Sequence, residues 1–413
     1  MILEHILGIF LVLLIFFHIA WIILLLKTKT YKKNFTPVVS VIIPAHNEEK
    51  TILKCFQSII KSRYPKIKEI IIVNDGSTDG TESVLKSIKD KRLILLKTKH
   101  VGKAKAINTA LKKANCDYVV ILDADSIVDK NAIISLMGPL KKDKIAASTG
   151  IIRGIKTSNP LTWFQDFEYM LSSGFRLASS NYKGNVILPG FMAAKKNLIK
   201  NSFSSDTMSE DFDIGLVLRK KGYETIVVSD AVIHVDLPKS VKRLLKQRLR
   251  WGIGTLQGMK KHKKFILSKE SGTIGRFSVP MQFYWYVHAS VYLPIMLFMI
   301  YHWYNYFFFS KVVITDVILY ILSITTIYGV FNLIYNIFIA HFYSLTLLSA
   351  ASIVLYFISL FYVALLIKII GEKKPSHIFS HVFFFLYSIL VFIPLAVSII
   401  LYKIKKSGNV WIK

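Results

Sequence analysis

Carboxylates gather where apolar runs stop in the first half of this 413-residue chain. Asp123-Ala124-Asp125-Ser126 follows the run from Tyr118 to Leu122. Two carboxylates at i and i+2 beyond a buried strand can both face a hard divalent cation, which takes oxygen ligands and bridges the phosphates of a nucleotide. Two earlier runs end in Pro44-Ala45-His46-Asn47-Glu48-Glu49 and in Asn74-Asp75-Gly76-Ser77-Thr78-Asp79-Gly80. Side by side at such an edge, Glu48 and Asp75 can accept hydrogen bonds from the imide N–H of a uracil or the hydroxyls of a ribose. The Asn74-to-Ser77 stretch reads equally well as an Asx turn with a helix cap. Lys103, in His100-Val101-Gly102-Lys103-Ala104, stands near the same edge, within reach of a nucleotide or simply solvated. No Gly-rich phosphate loop of either common type occurs, so phosphates must be held by other means.

A second group lies further on. Ser209-Glu210-Asp211 follows Asp206 and precedes a helix expected over Phe212 to Lys221, and Gln247-Arg248-Leu249-Arg250-Trp251 sits in a basic amphipathic segment. Between Lys239 and Lys264 there are ten Lys or Arg and no acid, which suits a helix lying on an anionic membrane surface. That reading does not account for the glutamine and the tryptophan. At the mouth of a site, Arg250 can pair with a pyrophosphate and Trp251 can stack on the C–H face of a pyranose.

The elements that must position these residues follow from periodicity. Val38 to Ile43, Ile70 to Val73, Leu93 to Leu96 and Tyr118 to Leu122 are short β-branched strands. Between them, Lys50 to Lys61, Thr81 to Ile88 and Lys103 to Ala114 carry apolar residues at helical spacing. Strand and helix in alternation imply a parallel sheet with right-handed crossovers, whose ligands sit beyond the carboxyl ends of the strands.

The composition sets the wider frame. The hydrophobic fraction is 53% and the formal net charge is +29, with a mean hydropathy of +0.45. This excludes intrinsic disorder, which needs low hydrophobicity, and two cysteines, Cys55 and Cys116, exclude a disulfide scaffold. We expect both thiols to be reduced in a cytosolic domain. Residues 1–36 read as an uncleaved transmembrane anchor, His5 to Leu26, with a basic linker on its cytoplasmic side. Residues 37–235 read as a soluble domain and 236–281 as basic interfacial helices. Residues 282–413 read as a membrane bundle with a basic cytoplasmic tail, its spans expected near 282–309, 312–341, 343–370 and 378–402. The joint Gly371-Glu372-Lys373-Lys374-Pro375 would then face outside against its charge, unless a segment between 312 and 370 is re-entrant. The basic residues flank apolar blocks and are not interleaved with exposed aromatics on one domain. The partner they imply is a lipid bilayer and not a nucleic acid.

Taken in order, the N-D-G-S turn, the D-x-D, the E-D pair and Q-x-x-R-W resemble the motifs of the processive, membrane-integrated family 2 glycosyltransferases. The chain is most similar to the poly-N-acetylglucosamine synthases, with hyaluronan, chitin and cellulose synthases as relatives. The resemblance covers about Pro37 to Lys264. It implies an α/β fold of GT-A type, a Rossmann-like cytoplasmic domain inserted between transmembrane helices, in a multi-pass protein of the plasma membrane. Residue by residue, it implies uridine and ribose recognition near Asn47, Glu48, Asp75 and Lys103, with Asp123 at the nucleotide and Asp125 at a Mg²⁺ or Mn²⁺ ion. Glu210 and Asp211 match the family's catalytic acidic pair, although Ser209 stands where the family has threonine. Gln247, Arg250 and Trp251 match the motif at pyrophosphate and acceptor, and Pro189-Gly190-Phe191 resembles the segment beneath the acceptor's terminal sugar.

The implied reaction is an inverting transfer from a UDP-sugar, N-acetylglucosamine on the resemblance, to a growing β-linked glycan acceptor, coupled to export. Asp211 would be the base, and Trp285, Tyr286 and Tyr292 are expected along the polymer's path. An accessory membrane subunit is compatible with this reading. The alternative is a non-processive transfer of one sugar to a membrane lipid, which shares the sheet, the D-x-D and the basic helix but has less need of Gln247 and Trp251.

Overall fold

The computed structural model describes residues 2–309, 328–341, 346–370 and 375–402. Its contacts fall into two units. One runs from Thr28 to Met281 and takes in the described residues from Val397 onward, and the other joins the N-terminal helix Ile2–Leu25 to described residues of the stretch Gln282–Ala396.

The first unit is built on an eight-stranded sheet. Its strands are β1 (Val39–Ala45), β2 (Ile67–Asp75), β3 (Leu93–Thr98), β4 (Tyr118–Leu122), β5 (Ser126–Val128), β6 (Ile145–Gly154), β7 (Phe191–Lys195) and β8 (Glu224–Val235), in the order β3-β2-β1-β4-β7-β6-β8-β5. Successive residues of one strand serve opposite faces. Val41 and Ile43 of β1 join Ile70, Ile72, Val120 and Leu122 in a core covered by the helices Ile52–Ile60 and Ala132–Leu140. Ile42 joins Ile71, Val73, Val119 and Ile121 beneath the helices Lys103–Lys113 and Glu210–Lys220. Burial on both faces is why these strands read as unbroken β-branched runs.

The first four strands are mutually parallel, as the alternation with helices predicts. The expectation of a parallel sheet fails beyond them, because β7 runs antiparallel to both β4 and β6. A parallel partner for β4 would need a covering crossover helix, whereas β7 returns from the long helix Pro160–Asn181 in the opposite sense. β1 and β2 also run further than expected, so Pro44, Ala45, Asn74 and Asp75 are strand residues.

In the second unit the helices are Ile2–Leu25, Val279–Phe309, Tyr328–Phe338, Leu347–Ile370 and Pro375–Leu401, the first residues of Val279–Phe309 and the last of Pro375–Leu401 being grouped with the sheet unit. Two segments among the described residues are long and apolar enough to cross a bilayer, His5–Leu25 and Ser349–Ile370. They pack together, with Trp21 and Tyr362 ring centroids 5.7 Å apart. Pro375–Phe384 and Leu386–Leu401 qualify only as a pair, bent by 60°. The expected span at 282–309 forms a helix, but Gln282, His288, Ser290 and Asn305 dilute its hydropathy, and it is not among the two. Most of 312–341, the joint at 371–374 and the basic tail lie outside the described residues. Ile9, Leu13, Phe16, Ile19 and Ile23 form an exposed apolar stripe along the first helix, a surface suited to lipid.

Candidate active site

Because β1, β2, β3 and β4 are parallel, their carboxyl ends share one edge, and the loops that leave them meet there. The loops after β1 and β2 fasten to each other through short polar side chains. Asn47 adopts a left-handed backbone (φ 56°), its N–H donates to Ser77 Oγ at 3.0 Å, and its Oδ1 accepts from the Thr78 N–H at 2.8 Å. The Glu48 N–H donates to Thr81 Oγ1 at 2.7 Å, and Glu48 Oε2 accepts from Thr51 Oγ1 at 2.6 Å.

Asp75 is fully buried at the end of β2. Its carboxylate accepts from Thr98 Oγ1 at 2.6 Å and from the N–H groups of Val101 and Gly102 at 2.7 and 2.8 Å. These bonds fix the loop after β3 and aim the helix that starts at Lys103. Asp75 is not among the residues lining the cavity described next, so its visible work is to organise that loop.

The cavity has a volume of about 640 Å³. Asn47, Glu48, Lys103, Asp123, Asp125, Glu210, Gln247 and Arg250 all line it, which brings together eight residues singled out from the sequence. At its centre Lys103 Nζ lies 2.6 Å from Asp123 Oδ1 and 2.7 Å from Glu210 Oε1. One ammonium therefore ties Asp123 of the D-x-D to Glu210, whereas Asp211, the other half of the acidic pair, is not among the residues lining the cavity. Gly190 abuts this junction: a Cβ built on it would lie 2.1 Å from Asp123 Oδ2, so a side chain there would displace the carboxylate.

Glu210 and Asp211 open the helix Glu210–Lys220 and do not precede it, so the helix N-terminus favours their charge. Their environments nevertheless differ. Burial works against Glu210's charge, yet Lys103 and Arg250 hold its carboxyl below the usual range. Burial and the neighbouring Glu210 charge push Asp211 up to about 6, against the opposing pull of Lys103, the Phe212 N–H and Arg250. For Lys103 burial opposes ionisation, but Asp123 and Glu210 raise it well above the ordinary ammonium value. One ionised acid beside one poised near neutrality is a pattern found at proton-transfer sites.

The second wall of the cavity is the helix Val241–Lys261. Glycines let it come close to the acidic helix: a Cβ on Gly254 would lie 2.3 Å from Ser209 Oγ, and one on Gly258 would lie 2.7 Å from the Phe212 ring. Arg250 reaches the cavity with its Nε buried and without a hydrogen-bond partner among the described residues. Trp251 does not line the cavity; the Arg248 guanidinium lies 4.4 Å from its ring centroid and Tyr169 packs 6.1 Å away.

Asp123 and Asp125 offer hard carboxylate oxygens to a cation. Among the described residues no group of three or more His, Cys, Asp or Glu is gathered to hold a metal alone. That suits an ion bound through one or two carboxylates and completed by phosphate oxygens and water, the habit of Mg²⁺.

Residues 40–203 match the family model described as glycosyl transferase family 2. The poly-beta-1,6-N-acetyl-D-glucosamine synthase of Staphylococcus epidermidis is 32% identical over 224 residues, which is 52% of this chain and 54% of that protein. The synthase of the same name from Staphylococcus aureus is 32% identical over 223 residues, with the same shares. The similarity to the family 2 glycosyltransferases thus falls within the sheet unit. It spans about half the length of the curated relatives it matches. Among solved structures, the mannosyltransferase PcManGT from Pyrobaculum calidifontis, in complex with GDP-Man and Mn²⁺, superposes with a TM-score of 0.53 at 25% identity, covering 63% of this chain and 76% of that one.

The cavity and its surroundings also contain residues that the motifs alone do not reveal. Arg243 and Lys246 line the cavity two turns and one turn before Arg250, respectively, and among the described residues neither side chain has an ion pair or hydrogen bond. Their spacing of three and four from one another and from Arg250 was the available signal, hidden within a run that also reads as a membrane-surface helix. Glu168 and Tyr169, against Arg248, come from a distant helix and leave no local trace in the sequence.

Proposed function

We propose that this chain transfers N-acetylglucosamine from its UDP-linked donor to a growing β-linked glycan, with inversion at the anomeric carbon and delivery of the polymer across the membrane. The observation that carries the reading is the junction at Lys103, which joins Asp123 of the D-x-D to Glu210 inside one cavity faced by Arg250, with Asp211 the next residue of the helix that Glu210 opens. The relatives named as poly-beta-1,6-N-acetyl-D-glucosamine synthases support the choice of sugar and product.

In this reading Asn47 and Glu48 border the nucleoside, with Asp75 holding the loop beside them. Asp211 takes the proton of the acceptor hydroxyl as the new bond forms, a role for which a carboxyl titrating near 6 is suited. Glu210 keeps Lys103 oriented, and Arg250 meets the departing diphosphate with a planar fork of donors. Arg243 and Lys246 extend that positive wall. Asp123 and Asp125 hold Mg²⁺ or Mn²⁺, which when bound neutralises the diphosphate. Asp123 rests on Gly190, and Gln247 with Trp251 serves the acceptor. The apolar helices embed the chain in the plasma membrane with the sheet on the cytoplasmic side, next to the basic segment.

Membranes containing the full chain, supplied separately with labelled UDP-sugars and Mn²⁺, test this reading. It predicts a ladder of long glycan from UDP-N-acetylglucosamine. A single organic-extractable glycolipid would replace it with the lipid-acceptor alternative.

A further inference from the structure

The guanidinium of Arg248 is used on its edges and on its face. Two edge donors grip Glu168, with Nε to Oε1 at 2.9 Å and Nη2 to Oε2 at 2.6 Å. A third, Nη1, donates to the side-chain oxygen of Gln247. The flat face lies over Trp251, 4.4 Å from the ring centroid, and 5.6 Å from that of Tyr169. The Arg248 side chain is 4% exposed and that of Glu168 19%. Arg248 and Arg250 are about 200° apart around the helix, so Arg250 serves the cavity while Arg248 faces away from it.

An arginine has only donors, so the amide of Gln247 must turn its oxygen toward Arg248. Its NH₂ group is then the part left to the cavity that Gln247 lines. We propose that Glu168 is a positioning residue which, through Arg248, fixes the amide of Gln247 as a hydrogen-bond donor to an oxygen of the acceptor sugar. The inference rests on the transferase reading above. Glu168 sets the plane of the fork, the fork sets the amide, and the stack on Trp251 stops the guanidinium from rotating out of register. A lysine at position 248 provides one point charge and cannot hold both partners.

The test uses the full chain in membranes or detergent at equal amounts of folded protein. It measures the KM for a short β-linked glycan acceptor, the KM for the UDP-sugar, and the slow hydrolysis of the UDP-sugar by water. Glu168→Gln, Arg248→Lys and Gln247→Glu should each raise the acceptor KM roughly tenfold, the equivalent of about 1.4 kcal/mol. In Glu168→Gln and Arg248→Lys, whose residues lie outside the cavity, donor KM and hydrolysis should stay within about twofold. Gln247→Glu is the sharpest variant: its carboxylate still accepts from Arg248 but offers no donor, and Glu168→Asp should recover part of the loss caused by Glu168→Gln. A parallel rise of acceptor and donor KM in Glu168→Gln and Arg248→Lys, or an unchanged acceptor KM in all three variants, would overturn the relay while leaving the transferase reading intact. A wild-type chain inactive toward every nucleotide sugar would instead overturn that reading and the relay with it.

Discussion

His262 Nε2 meets Asp213 Oδ1 at 2.8 Å in a buried contact between the end of the helix Val241–Lys261 and the first turn of the helix Glu210–Lys220. Lys261 Nζ adds a second bond to Asp213 Oδ2 at 3.0 Å. Asp213 follows Asp211 by two residues in the same first turn and is buried, so it fixes the helix that presents the acidic pair. Asp213→Ala should cost about 3 kcal/mol, since it removes one partner of a buried pair. Thermal melts of the purified chain check this, and an unchanged Tm would mean that the contact holds nothing in place.

Gly190 accounts for the position of Asp123. Gly190→Ala would bring a methyl within 2.1 Å of Asp123 Oδ2, and the carboxylate, 32% exposed, can escape by turning outward. The fold should therefore survive while Asp123 leaves Lys103. UDP affinity, measured by calorimetry, should fall by roughly tenfold or more with Tm nearly unchanged. Normal affinity would show that the glycine serves only the backbone.

The metal reading makes a conditional prediction. Asp125→Ala should weaken UDP binding in Mn²⁺ or Mg²⁺ far more than in EDTA, because the cation is what links this carboxylate to the phosphates. Equal weakening under both conditions would leave Asp125 as a turn residue beside Ser126.

Titration of Asp211 gives the pH dependence. Its pKa is raised from the ordinary 3.8 to about 6, and the ionised form is the base, so turnover should fall about tenfold per pH unit below 6. The stability effect has the opposite sense. A folded pKa above the unfolded one means that the contribution is present below 3.8 and lost as pH rises through about 6. Asp211→Asn, which cannot ionise, should therefore raise Tm relative to wild type at about pH 8 and lose that advantage toward acid pH.

Much of this was legible in the sequence. Strands buried on both faces announce themselves as β-branched runs, and the polar residues that stop them, Asp123 and Glu48 among them, line the cavity. The reversal of β7 was not legible, because Phe191–Lys195 is as apolar as a parallel strand would be and direction leaves no mark on composition. Asp75 was readable as a carboxylate at a strand end but not as one engaged by the Val101 and Gly102 amides, a contact made across 26 and 27 residues. Glu168 and Arg248 lie 80 residues apart, and no local pattern joins them.

The most direct measurement pairs turnover with nucleotide affinity in Asp211→Asn. Removing the base while Lys103, Asp123 and Arg250 remain should lower UDP release by roughly 10² to 10⁴ and leave the UDP dissociation constant within a few fold. A coupled UDP-release assay and calorimetry on the same purified sample give both numbers. Loss of affinity together with turnover, or turnover that persists, would contradict the assignment of Asp211 as the base of this transferase.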